Sequence, residues 1–152
     1  MISWLLLIHI LSAMVWIGGG VVLLVIGIRV RSDPDAKALA QFARLLPYVG
    51  LRVLMPAVLL VLLTGVWMVL TSAAWRISQL WVLLALGLFS VAFLIGAIYL
   101  SRIGLQLART AGADGTAPRQ AVSVLDRWLA GYAAVLVVLL AAVWDMVFKP
   151  GL

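Results

Sequence analysis

One histidine, His9, stands in a stretch without charge, Leu5 to Gly20 (LLLIHILSAMVWIGGG). An imidazole in such surroundings has two possible occupations. It ties helices together through hydrogen bonds, or it keeps one nitrogen unprotonated and ligates haem iron or copper. Ionisable groups inside a membrane segment are costly, and they mark functional sites more often than not. Candidates to act with His9 come from other parts of the chain: Met68 as a soft second ligand, Thr64 in the same layer, and Asp145 to fix the ring tautomer. Trp16, seven residues beyond His9, is either a packing residue or a stacker for a cofactor. Asp145 and Lys149 are four residues apart in helical register, which predicts a local ion pair.

Other chemistry is excluded by what the chain lacks. It has no cysteine, so disulfides, thiolate-bound metals, iron-sulfur clusters and covalently attached haem are ruled out together. It has no Ser-His-Asp set, no HExxH, no nucleotide-binding glycine loop and no pair of carboxylates within an apolar run. Gly18-Gly19-Gly20 lies inside an apolar segment, where it suits close helix packing rather than phosphate. Hydrolysis and phosphoryl transfer therefore have no residues to work with, and the chain reads as a binding or accessory protein rather than an enzyme.

The elements that must position these residues are membrane helices. Of 152 residues 66% are apolar and 11% charged, a balance that no water-soluble surface of this size tolerates. Apolar runs at about 2–28, 50–73, 78–101 and 122–148 each reach the roughly 20 residues that cross a bilayer. In hydrocarbon such runs must be helical, because an open strand would leave its amides unpaired. The first run lacks the basic lead and the cleavage site of a signal peptide, so it is expected to remain as a span. Residues 36–49 carry Leu39, Phe42, Ala43 and Leu46 on one face. They form either an interfacial helix or an inward extension of the second span, bent at Pro47 and near Pro56.

The net charge of +6 comes from 11 basic and 5 acidic residues. The basic residues stand between apolar runs without aromatic interleaving, which makes nucleic acid a poor partner. Nine of them (Arg29, Arg31, Lys37, Arg44, Arg52, Arg102, Arg109, Arg119 and Arg127) fall at the first and third connections, against Arg76 and Lys149 at the other side. The positive-inside rule then predicts cytoplasmic long connections and both termini outside. Trp4, Trp75, Trp81 and Trp144 mark the outer boundary, where indoles favour the headgroup level.

Helices in lipid meet along small or polar stripes. The first helix offers His9, Ala13, Trp16, Gly20 and Gly27; the second Ala57, Thr64, Met68 and Thr71. The third offers Gly87, Ser90, Leu94, Ala97 and Ser101, and the fourth Arg127, Gly131, Ala134, Ala141 and Asp145. Four such spans with short connections predict an all-α, antiparallel up-down four-helix bundle.

His9, Trp16 and the three glycines in the first span, the Arg52 to Pro56 entry to the second, and the closing Asp145-Met-Val-Phe-Lys-Pro-Gly151 together resemble a bacterial integral-membrane family. That family is designated domain of unknown function 2269, and the resemblance covers essentially the whole chain. It is similar in style to the CopD copper-resistance membrane domain. The resemblance implies a four-helix unit in a bacterial plasma membrane and copper or haem handling. A fainter similarity is to HemJ-type protoporphyrinogen oxidases, whose first helix carries His, then Trp seven positions later, then Gly, as do His9, Trp16 and Gly19; it implies haem at His9. Those proteins also carry a lysine in a later helix, whereas this chain has none between Lys37 and Lys149. That departure argues against porphyrinogen oxidation. Two functions are thus expected: haem b or copper held through His9 near the periplasmic side, or an accessory subunit packing into a larger respiratory, photosynthetic or transport assembly or into a homo-oligomer. A proton path through His9 and Asp145 ranks below both.

Overall fold

The computed structural model describes residues 2–33, 35–111 and 118–151. The glycine-rich part of the third connection, residues 112–117, and Pro34 in the first lie outside the described residues. Helix α1 (Ile2–Ser32) forms the first span. Helix α2 (Ala36–Val49) runs through a π-helical turn (Gly50–Leu54) into α3 (Met55–Thr71). The third rod is built the same way from α4 (Leu80–Leu94), a second π-helical turn (Ile95–Leu100) and α5 (Ser101–Ala111), and α6 (Pro118–Phe148) closes the bundle. All four rods are long and apolar enough to cross a membrane, and no strand occurs among the described residues. The protein is an all-α, four-helix, multi-pass integral membrane protein.

Residues 36–49 thus continue the second span inward. The second rod, Ala36–Thr71, has 36 residues, or about 54 Å of helix. Since hydrocarbon is about 30 Å thick, a rod of that length must project from it. The charged ends of the rods, which the apolar runs alone leave out, lengthen every span. Pro47 and Pro56 bracket the π-helical turn. Pro56 has no amide to offer the carbonyl four residues back, and the Met55 amide bonds to the Gly50 carbonyl, an i→i+5 closure. Proline here widens the helix without breaking it.

Packing is strongly uneven. Helix α3 lies along α1, α4 lies along α6, and α1 and α6 pack on each other. Gly20 and Gly27 make the last of these contacts close: a Cβ on Gly20 would fall 2.6 Å from the Tyr132 ring, and one on Gly27 2.7 Å from Leu129. The second and third rods meet chiefly through α2 and α5, at the arginine-rich end. There Phe42, Trp128 and Tyr132 interlock, with Phe42 edge-on to Trp128 at 5.5 Å and Trp128 stacked on Tyr132 at 5.0 Å. Toward the end that carries both termini, a seam separates the two rods.

The first stripe is buried as expected, with Ala13 half-buried, and the second is buried except at Thr71. The third is not. Gly87, Ser90, Leu94, Ala97 and Ser101 are all exposed, and the inward face carries Val82, Ala85, Ala92 and Leu100 instead. Gly87, Ser90 and Leu94 precede the π-helical turn, so α4 itself presents its larger apolar face, Val82, Ala85 and Ala92, to the bundle and leaves the small-residue face outward. The serines need no neighbouring helix, because Ser90 donates to the Leu86 carbonyl at 2.7 Å and Ser101 to that of Ala97. On α6, Arg127, Ala134 and Ala141 are likewise exposed, and the contact face consists of Trp128, Tyr132, Val135, Leu139 and Ala142. Bulky side chains form most of this face, and Gly131 admits Tyr99, to whose ring a Cβ there would come within 2.7 Å.

Candidate functional site

His9 is 7% exposed, on the face of α1 that α3 covers. Its Nδ1 lies 3.1 Å from the Thr64 hydroxyl. That hydroxyl donates its only proton to the Leu60 carbonyl, at 2.5 Å. A hydroxyl so engaged can only accept from the imidazole, so Nδ1 carries the ring proton and Nε2 is left as a bare acceptor. The ring also lies within reach of the Val61 carbonyl, and Nε2 is not among the sealed, unpartnered polar side-chain atoms, which are Trp81 Nε1 and the two Asp145 carboxyl oxygens. Thr64 therefore performs the tautomer-fixing role that the sequence reading gave to Asp145.

His9 lines a cavity of about 310 Å³ in the seam between α3 and α4. Met68 lines the same cavity, together with Phe89, Trp81 and Trp75, and its lining is almost wholly apolar. Lys149 stands at its rim, with the ammonium 4.7 Å from the Trp75 ring centre and 5.6 Å from that of Trp81. These are cation-π distances. The predicted ion pair with Asp145 is not formed: the only salt bridge among the described residues joins Arg31 to Asp126 at the other end. Asp145 is 2% exposed, and neither carboxyl oxygen has a partner. Lys149 has turned toward the indoles, at a backbone φ of 45° that carries the chain out of the helix.

Trp16 is separated from this group. It lines a second cavity nearer the arginine-rich end, and its ring meets Phe89 edge-on at 5.7 Å, so the pair forms the wall between the two spaces. The structure thus brings His9, Thr64 and Met68 together, with Lys149 at the rim, and sets Trp16 and Asp145 apart from them.

Gly65 escaped the sequence reading. A Cβ there would lie 3.0 Å from His9 Cε1 and 3.4 Å from Nδ1, so the missing side chain is what admits the imidazole. The signal was present, because Gly65 is the only glycine in α3 and adjoins Thr64. Among the described residues no group of three His, Cys, Asp or Glu could hold a metal ion. The donors that face this cavity are one imidazole nitrogen and one thioether, a set that falls short of a free copper site and equals the two axial positions of a haem.

No curated protein and no solved structure matches this chain. The family model described as "Predicted integral membrane protein (DUF2269)" matches residues 3–150, and the chain belongs to that family.

Proposed function

We propose that the protein holds one haem b in the cavity between α3 and α4, with His9 Nε2 as the axial ligand. The observation that carries this reading is an imidazole whose proton is fixed on Nδ1 by Thr64, leaving the second nitrogen free at the wall of an apolar cavity. Met68, which lines the same cavity, would be a second donor to the group. Phe89, Trp75 and Trp81 give the flat apolar surfaces that a macrocycle packs against, and Lys149 at the rim pairs with its propionates. The cavity, about 310 Å³, stands at the lower end of small-molecule sites, about 300 to 1,000 Å³, so a macrocycle would also occupy the open seam between α3 and α4. A bound haem supplies one-electron redox chemistry; the chain's own residues orient it and exclude water. With the termini outside, as the arginine bias predicts, the rim faces the periplasmic interface of a bacterial plasma membrane. The resemblance of the sequence to CopD-like and HemJ-type proteins agrees with this reading, and copper is the less suitable cargo because its donor set is incomplete.

The test is the absorption spectrum of the purified protein, before and after incubation with hemin. A Soret band that His9→Ala removes is expected. Absence of the band in both samples overturns the reading, and copper retained in its place by elemental analysis would turn it toward the metal alone.

One observation favours a second reading, that of an accessory subunit. The stripe Gly87, Ser90, Ala97 and Ser101 faces outward, where small residues let another membrane helix approach closely. It predicts a partner retained in mild detergent, and a solitary monomer in native mass spectrometry would remove it.

A further inference from the structure

The second cavity, about 470 Å³, lies between the two π-helical turns. No charged side chain lines it. Three hydrogen-bond donors do, on Trp16, Trp128 and Tyr132, whose residues are 6%, 3% and 5% exposed. Among the described residues, none of the two indole N–H groups and the phenol has a hydrogen-bond partner. None of them is among the sealed polar atoms either, so each retains access to space. All three residues stand in the lining of the cavity, the Tyr132 hydroxyl beside Gly20 of α1. Ser101, the remaining polar side chain in the lining, already donates to the Ala97 carbonyl.

A buried donor without an acceptor costs roughly 1–3 kcal/mol, and three around one cavity define what would satisfy them. The ligand must offer acceptors and carry no charge. It must also be flat, because Trp128 and Tyr132 stack into one wall at 5.0 Å while Trp16 and Phe93 stand in the lining. The mouth lies toward lipid: Leu51 and Leu105 line the cavity and are 67% and 58% exposed. An apolar tail can therefore leave sideways between the second and third rods. The turns themselves make the room. Gly50 and Gly96, one in each π-helical turn, both line the cavity, and a Cβ on either would meet nothing within 4 Å. π-Helical turns recur at functional sites for this reason.

We infer that this cavity binds the ring of a prenylated membrane quinone, its carbonyl oxygens accepting from Tyr132 and the two indoles and its tail passing out between Leu51 and Leu105. The site is independent of the haem reading, as it uses neither His9 nor Met68.

The experiment uses the full chain in detergent micelles, titrated calorimetrically with a benzoquinone carrying a single isoprene unit. Saturable binding of one quinone per chain is expected. Tyr132→Phe keeps the ring, loses the hydroxyl and weakens binding roughly 2- to 10-fold, the worth of one neutral hydrogen bond. Gly96→Phe fills the cavity and abolishes binding while helical circular dichroism is unchanged. Three results overturn the proposal: no saturable binding to the wild type, equal affinity in Tyr132→Phe, or equal affinity for a hydrocarbon of the same shape without carbonyls. The last would make the cavity a slot for lipid chains. If Gly96→Phe fails to fold, the phenol variant and the hydrocarbon decide.

Discussion

The two ends of the bundle are built on opposite rules. At the arginine-rich end, Leu39, Phe42, Ala43, Leu107, Val124 and Leu125 are at most 2% exposed, in one continuous apolar core that joins the rods. At the end bearing the termini, the corresponding core is Val69, Trp81 and Val82, beside an open seam. The four buried polar side chains among the described residues, His9, Ser12, Thr64 and Asp145, all lie in that second half. One end carries the fold, and the other carries the buried polar side chains beside an open seam. Polar groups accumulate where packing is thin because they need partners more than they need neighbours.

The sharpest way to break this contrast is Phe42→Ala. If the arginine-rich end holds the fold, removing a ring that interlocks with Trp128 lowers stability by about 3–5 kcal/mol, read by denaturant unfolding in micelles. A loss below 1 kcal/mol would mean that the two ends share the load. Asp145→Leu tests the thin end from the other side. A carboxyl with no donor is replaced by an apolar group of similar size, and stability rises by about 1–3 kcal/mol. A loss of that size would show that the carboxyl has a partner in the working protein. The smallest effect belongs to Arg31→Gln, which breaks the ion pair with Asp126. Both side chains are about half exposed, 54% and 41%, so the change in the unfolding midpoint is small, and it shrinks further in high salt.

The number of spans, their antiparallel order and the inward face of the first helix could all be read from the residues. They rest on long apolar runs and on a helix that keeps one register from His9 to Gly27. Met68 and Thr64 could be placed beside His9 for the same reason, since α3 is regular from Met55 to Thr71. The third stripe could not be read, because α4 is apolar on every face and nothing in its composition says which face the bundle covers. The fourth failed for a different reason. Small residues were expected at the contact, and the rods instead meet through Trp128 and Tyr132. Lys149 was expected to seek Asp145, but two indoles one loop away offered its ammonium a face that a buried carboxyl four residues back did not.

The second and third rods are joined by the short stretch from Ser72 to Gln79, and otherwise press on each other mainly through α2 and α5. They behave as the arms of a pair of tongs gripped at one tip. Few contacts between α3 and α4 themselves hold the gap closed, so the lateral pressure of the surrounding acyl chains bears directly on it. Bilayer thickness and fluidity thereby become variables of the molecule itself, setting how wide the gap stands at a given moment.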